Sequence, residues 1–396
     1  MKNYQISDIL IYVIELLIGY YIMLETKTKN NVLIIGLITP QNKMVYPEYY
    51  FKEFEKLVET NFITPVFRYF SKLRSIDSST YVTKGKLEEI KKLCIEHDID
   101  EIIFSEKLTP HQEMKLEKIL EVTVYDRTHL ILEIFEKQAH TEEAKIQVEI
   151  AFLEHKKTRV AGHGSHFSQQ SGRFGIISGA GETQKELDLR HIDHLMQRLH
   201  KELKQLEAHK ERQRKDRLKN NVFSISIVGY TNAGKSTLFN TLTKASVLVE
   251  DKLFATLNTT TRELFISDEL IKKIVITDTV GFIQNIPHEL IVSFHSTLAE
   301  LKYSTLLLHV IDISDKDWQQ QYHTVKKTIK ELGASDIPIV EVFNKIDLLD
   351  SIEYEDIKAK LTEDQNKNII FVNATNKAST LELMNTIKEI IHNRNF

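Results

Sequence analysis

The sequence predicts an α/β protein in which two regions of alternating strands and helices flank a long antiparallel helical hairpin. Three observations predict it. Short apolar runs such as "NVLIIGLI" (Asn31–Ile38) and "STLLLHVID" (Ser304–Asp312) alternate with amphipathic stretches, as strands covered by helices do. Between the two regions, apolar residues recur at threes, fours and sevens over two long stretches. Finally, the apolar run "SISIVG" breaks into a glycine-framed loop, and a helix pattern begins at Lys235.

Bulk properties agree with that class and exclude others. The chain has 396 residues, 42% hydrophobic and 27% charged, enough for two or three cores and too ordinary for a collagenous or wholly disordered chain. A net charge of −4 excludes a uniformly basic nucleic-acid binder, although a local basic face remains open. A lone cysteine, Cys94, allows neither an internal disulfide nor a cysteine zinc cluster, which fits a reducing, cytoplasmic setting.

The first segment, 1–30, is an apolar extension. Its run Ile9–Leu24 is short for a membrane span and contains Glu15. Three readings fit it: a buried or surface helix, a membrane anchor, or a chain whose translation starts at Met23. Membrane contact is the weaker expectation. Residues 31–128 form an α/β domain, with strands at "NVLIIGLI" and "DEIIFSE" and helices at "YYFKEFEKLVETN" and "GKLEEIKKLCIEHDI". Residues 129–220 form the hairpin. Leu132, Phe135, Ala139, Ile146, Ile150 and Leu153 put one stripe on a helix from about Leu130 to His155, and Leu195, Leu199, Leu203 and Leu206 repeat the spacing in the second arm. The glycine-rich loop between the arms is longer than a connector needs. The second arm, Gln184–Asn220, carries 11 Lys/Arg against 7 Asp/Glu, a solvated face or a basic one. Residues 221–396 alternate strand and helix in the manner of a doubly wound parallel sheet.

The chemistry lies in this last region. "GYTNAGKST" reads Gly229, Tyr230, Thr231, Asn232, Ala233, Gly234, Lys235, Ser236 and Thr237, a P-loop between a strand and a helix. The glycines let backbone N–H groups turn onto phosphates, Lys235 supplies a point charge, and the Ser236 hydroxyl ligates Mg²⁺. Downstream, "NKID" (Asn344, Lys345, Ile346, Asp347) ends a strand. An aspartate there accepts both the N1–H and the 2-amino proton of guanine. Adenine lacks that donor pair and would leave the carboxylate unpaired, at a cost of about 1–3 kcal/mol. The stem of Lys345 covers the purine face. In "DTVG" (Asp278, Thr279, Val280, Gly281), Asp278 holds Mg²⁺ through water and the Gly281 N–H meets the γ-phosphate. The run Phe254, Ala255, Thr256, Leu257 and Asn258 supplies a switch loop, with Thr256 the chosen Mg²⁺ ligand and Thr259, Thr260 and Thr261 as neighbours that compete for the role. "NAT" (Asn373, Ala374, Thr375) presents the Ala374 N–H to the guanine carbonyl. Together these make a guanine-nucleotide switch domain, of Ras-like P-loop type.

The whole chain, from about residue 30 to 393, resembles the HflX family of ribosome-associated GTPases, in the Obg–HflX branch of translation-factor GTPases. The residues that carry the resemblance are "YVTKGKLEEIKKL", Asp126–Arg127, Gly181–Glu182–Thr183–Gln184 and the nucleotide motifs above. The chain departs from the family pattern at Asn258–Thr259, Ser178–Gly179–Ala180 and Asn373. The resemblance implies a monomer that binds GTP or GDP and the large (50S) ribosomal subunit with its rRNA, sets the hairpin loop near the peptidyl-transferase centre, and splits stalled or idle ribosomes. Arg159, His163, His166 and Arg173 suit RNA phosphates and bases, and Phe167 and Phe174 either stack on bases or pack the tip. Two alternatives stand beside it: a GTPase of ribosome assembly or RNA modification, and a GTP-regulated binding module with negligible turnover.

For hydrolysis the expected participants are Lys235, Thr256, Gly281 and Asn232. Phe282 stands where many GTPases carry a water-orienting glutamine, so intrinsic turnover should be slow. Asn232 is expected to hold K⁺ against the phosphates, with the ribosome completing the site.

Overall fold

The computed structural model describes residues 30–39, 47–162, 184–219, 222–243, 253–254, 259–265, 273–284, 290, 299–362 and 368–393. The apolar run Ile9–Leu24 and the glycine-rich loop, with His163, His166, Phe167, Arg173, Phe174, Ser178–Ala180 and Gly181–Thr183, lie outside the described residues. So do Ala255, Thr256, Leu257 and Asn258. Among the described residues no helix is long and apolar enough to cross a membrane. Contacts divide the chain into two compact units, Met1–Val45 with Phe62–Arg127, and Tyr46–Asn61 with Thr128–Phe396.

The first unit is a four-stranded parallel sheet. Strands β1 (Val32–Ile38), β2 (Phe67–Lys72), β3 (Glu101–Phe104) and β4 (Thr123–Tyr125) stand in the order β2-β1-β3-β4. Central β1, "VLIIGLI", is buried almost throughout, whereas edge strand β2 alternates half-buried and exposed residues. Leu33, Ile35 and Ile102 pack with Leu87 and Ile90 of the helix Lys84–Glu96 and Leu116 of the helix Pro110–Leu120. That last helix starts at a capping box, with Thr109 accepting from Gln112 N–H and Gln112 accepting from Thr109 N–H. Buried Cys94 belongs to this core, and burial raises its thiol to about 11.

In the second unit, four helices precede the sheet: α1 (Pro47–Thr60), and then, past the helices of the first unit, α4 (Arg127–Gln138), α5 (Glu142–Gly162) and α6 (Gln184–Lys219). The continuous helix expected from Leu130 to His155 is instead two. The first ends at Gln138, and Thr141 caps the next, its hydroxyl accepting from Ala144 N–H at 3.2 Å and its carbonyl from Lys145 N–H at 3.0 Å. An apolar stripe running through Ala139 cannot reveal such a cap. Helices α5 and α6 are antiparallel: Lys185 donates to the Ala161 carbonyl at 2.7 Å, and Lys157 pairs with Asp193 at 2.5 Å. Ile150, Leu199 and Leu203 form the seam, and Ile192 is buried too, but Leu206 is exposed, so the stripe fades before the basic end.

The large sheet follows. Strands β5 (Phe223–Gly229), β6 (Thr260–Glu263), β7 (Ile274–Asp278), β8 (Leu306–Asp312), β9 (Ile339–Asn344) and β10 (Ile369–Phe371) run in the order β10-β9-β8-β5-β7-β6. All pairs are parallel except β6 with β7. The expected wholly parallel sheet therefore gains an antiparallel edge. Its residues, Thr260–Glu263, are polar and read as loop, because an edge strand needs no apolar run. Among the described residues, the helices here are α7 (Lys235–Thr243), α8 (Trp318–Glu331), α9 (Ser351–Thr362) and α10 (Leu381–Asn393). Chain order reverses around β5, whose neighbours are β8 and β7, and its carboxyl end is the switch point where open α/β sheets bind ligands.

The hairpin seam is narrow, and Leu199 is almost fully buried in it. Leu199→Ala should cost about 2–4 kcal/mol locally. Hydrogen exchange should therefore quicken in α5 and α6 while the strands of the large sheet keep their protection.

Candidate nucleotide site

At the end of β5 the chain must turn back on itself with its amides facing inward. A Cβ on Gly229 would sit 2.3 Å from the Val310 carbonyl oxygen, and one on Gly234 2.2 Å from Asn344 Nδ2. Gly234 has φ +91° and Asn232 φ 61°. Both glycines thus answer a steric demand, and Asn232 is of the residue type that tolerates a left-handed backbone.

Lys235 opens α7 and is nearly fully buried, its Nζ donating to the Tyr230 carbonyl at 2.7 Å. Burial holds this ammonium down at about 8, with Asp278 pulling it up. Ser236 Oγ donates to Asp278 Oδ2 at 2.7 Å, and Asp278 is fully buried at the end of β7. A hydroxyl and a buried carboxylate in contact at a phosphate loop fit Mg²⁺. Thr279 donates to the Ile227 carbonyl at 2.6 Å, and Val280 is buried. Gly281 lies against the loop so closely that a Cβ there would be 2.8 Å from Thr231 Cγ2 and 2.9 Å from Lys235 Nζ. Phe282 exchanges two backbone bonds with the loop: Thr231 N–H donates to its carbonyl at 2.8 Å, and its N–H to the Gly229 carbonyl at 3.1 Å. Its ring is buried.

The segments expected to bind the base meet at Asn344. Asn344 Nδ2 donates to the Ala233 carbonyl at 2.9 Å, and Asn344 Oδ1 accepts the Ala374 N–H at 2.9 Å. The amide expected to face a guanine carbonyl is therefore given to Asn344 in this structure. Lys345, at φ 64°, pairs with Asp312 at 2.6 Å. Asp347 is exposed in a 3-10 turn, with Ile346 packed under it. Asn373 uses its side-chain oxygen to accept from Thr375 N–H and hydroxyl, at 2.9 and 2.6 Å, which shapes the last loop. Half-buried Thr237 lies in the first turn of α7, and its carbonyl accepts from Thr241, whose hydroxyl also reaches the Ala374 carbonyl at 2.6 Å.

Of the switch run, Phe254 is described: it is buried with its ring edge-on to Phe135 at 4.6 Å. Thr261 shares a 2.9 Å hydroxyl contact with Thr277 inside the sheet, which leaves it poorly placed as a mobile ligand. Thr256 itself is among the residues not described.

Sequence reasoning missed a polar cluster beside the loop. A cavity of about 470 Å³ is lined by Glu53, Tyr230, Thr231, Asn232, Gln284 and Asp317 among others. Tyr230 donates its hydroxyl to Glu53 and accepts the Gln284 N–H at 2.7 Å. Asp317 is raised to about 6, first by burial and then by Asp315 and Glu53. Thr231 Oγ1 is buried without a hydrogen-bond partner. Tyr230 stood in the motif for its backbone alone, and nothing in "YYFKEFEKLVETN" distinguishes Glu53 from its neighbouring acids.

Comparisons with known proteins add to this geometry. Residues 48–136 match the family described as GTP-binding GTPase N-terminal, 138–217 the GTP-binding GTPase Middle Region, and 224–345 the 50S ribosome-binding GTPase family. The chain is 42% identical to GTPase HflX of Caldanaerobacter subterraneus over 80% of its own length and 71% of the relative's. It is 38% identical to GTPase HflX of Escherichia coli K12 over 85% and 78%. Among solved structures it is similar to a complex of SsGBP with GDP, at 26% identity, TM-score 0.49, covering 92% of this chain and 100% of that one.

Two outcomes follow from the buried loop. Phosphates raise the pKa of a bound ammonium, so above pH 8 the free protein must take up a proton at Lys235 to bind. GTP affinity should then fall with rising pH, by up to about tenfold per unit, and calorimetry in buffers of different ionisation enthalpy should register the uptake. Gly234→Ala should drive Asn344 out of its clamp and weaken GTP binding by about tenfold or more in the same titration, a strain of roughly 1–3 kcal/mol.

Proposed function

The chain belongs to the HflX family of GTPases and is a GTP-hydrolysing enzyme, and on that premise we propose that it works on the large ribosomal subunit, using GTP binding and hydrolysis to split stalled or idle ribosomes. The match of residues 224–345 to a family described as 50S ribosome-binding supports the ribosomal partner. The clamp formed by Asn344 supports the nucleotide half, because it draws the phosphate loop, "NKID" and "NAT" to one point.

In this reading Asp347 accepts the two guanine protons, Lys345 covers the base, Lys235 and the loop amides hold the phosphates, and the Gly281 N–H reports the γ-phosphate. Ser236, Asp278 and Thr256 hold Mg²⁺, which neutralises phosphate charge when bound. Asn232, exposed at the loop, is the proposed K⁺ residue. Because Phe282 turns its ring inward, the chain's own residues leave the attacking water without a side-chain acceptor at that position, and the ribosome is proposed to complete the site. The switch then has a direction: the γ-phosphate orders the segments around Thr256 and Gly281, GTP favours the ribosome-bound form, and hydrolysis releases it.

The buried ring of Phe282 also favours a second reading, a GTP-regulated binding module in which hydrolysis is too slow to drive the work and the GTP-bound state merely docks. Sucrose gradients of intact ribosomes separate the two. With GTP the protein should convert intact ribosomes to subunits, and a non-hydrolysable analogue should trap it on the large subunit. Binding without dissociation, together with turnover that large subunits do not stimulate, would favour the module. Asp347→Ala should lower GTP affinity by about tenfold or more while the phosphate loop stays folded, and equal affinity of the native chain for ATP would refute the guanine assignment.

A further inference from the structure

We propose that Tyr230 is a positioning residue for γ-phosphate recognition, and that Glu53 of α1 holds it in that role. The proposal rests on the reading of Gly281 as the γ-phosphate contact. Gly281 is bracketed on both sides. Before it, Thr279 is tied to the Ile227 carbonyl at 2.6 Å. After it, Phe282 is fixed by its two backbone bonds to the loop, and Gln284 by its N–H, which the Tyr230 hydroxyl accepts at 2.7 Å. The Tyr230 hydroxyl in turn donates to the Glu53 carboxylate. Gln284 is held a second time through its side chain, Nε2 to Asp317 Oδ2 at 3.4 Å. Tyr230 and Gln284 are 5% and 6% exposed, so this linkage is out of water, where an amide left without its acceptor is costly.

The segment after Gly281 thus owes part of its position to a phenol, and the phenol is held by a helix far away in sequence. That helix reaches the other expected switch segment too. Thr60, its last residue, accepts the Leu253 N–H at 3.3 Å through its hydroxyl, immediately before Phe254. Helix α1 therefore grips the stems of both segments that the γ-phosphate is expected to order. A phenylalanine at 230 would fill the same space yet leave the Gln284 amide and the Glu53 carboxylate without the hydroxyl.

The test compares affinities of the full chain for GDP and for a non-hydrolysable GTP analogue, by displacement of a fluorescent nucleotide. In Glu53→Gln the analogue should bind at least fivefold more weakly while GDP affinity stays within twofold, and in Tyr230→Phe the ratio of the two affinities should shift at least as far. The double variant should lose no more than Tyr230→Phe alone, because both act through one hydroxyl. A role in simply holding the loop together would weaken both nucleotides alike, and that result would overturn the proposal, as would an unchanged ratio. Gly281→Ala tests the premise separately. If it keeps the native ratio of GDP to analogue affinity, the γ-phosphate reading itself fails. If it shifts that ratio while Tyr230→Phe leaves it unchanged, the positioning role alone is refuted.

Discussion

The nucleotide site depends on the Asn344 carboxamide. A phosphate-binding loop spends its backbone donors on the ligand, so it cannot hold itself together through a regular ladder. Something outside it must fix its shape. Asn344 does so with both ends of one amide, giving a proton to the Ala233 carbonyl and taking one from Ala374. Its Nδ2 lies so near Gly234 that any side chain there would collide with it. The residue requirement at 234 and the one at 344 are two sides of one contact, made by residues more than a hundred positions apart. The order of strands makes it possible: β5, β8 and β9 lie side by side, so the loops at their carboxyl ends fall within reach of each other.

Much of this was legible in the sequence because the relevant signals are local. Buried parallel strands are continuous apolar runs, and "VLIIGLI" and "LLLHVID" could hardly be misread. Steric demands at Gly229 and Gly234 leave their trace in the residue type itself. Other features left none. Strand β6 is polar because it lies at an edge, and the break at Thr141 is a matter of one hydroxyl replacing helix bonds within an otherwise helical pattern. Strands β2 and β4 were passed over for similar reasons, one half-exposed along its length and the other three residues long. At the site, Glu53 and Gln284 escaped because their meaning comes from a tyrosine between them in space, and spacing along a chain does not encode that.

Helix α1 shows how the contact pattern and sequence order can part company. It lies between β1 and β2 in the chain, as the crossover of a parallel unit should, yet its contacts group it with the large sheet and the hairpin. Its polar residues explain part of this. Glu53 reaches Tyr230, and Thr60 reaches Leu253. Past the helix end, Asn61 bonds with Glu133 and Lys137 of α4, whose Phe135 packs on Phe254. A helix that served only to cover its own small sheet would have no need of these groups.

The buried charge of Lys235 gives the site its thermodynamic character. An ammonium withdrawn from water is unfavourable unless a partner makes up for the loss, and here a carbonyl and Asp278 do so incompletely, which is why its proton is held less firmly than in water. Asp278 is itself fully buried and shares its carboxylate with Ser236. The ammonium and the carboxylate are therefore both kept out of water where β5 and β7 end, beside a half-buried hydroxyl. In the proposed reading the polyphosphate of a nucleotide supplies what is missing for the lysine, so nucleotide binding would favour the folded loop, whose frame Asn344 and Tyr230 already hold before an anion arrives.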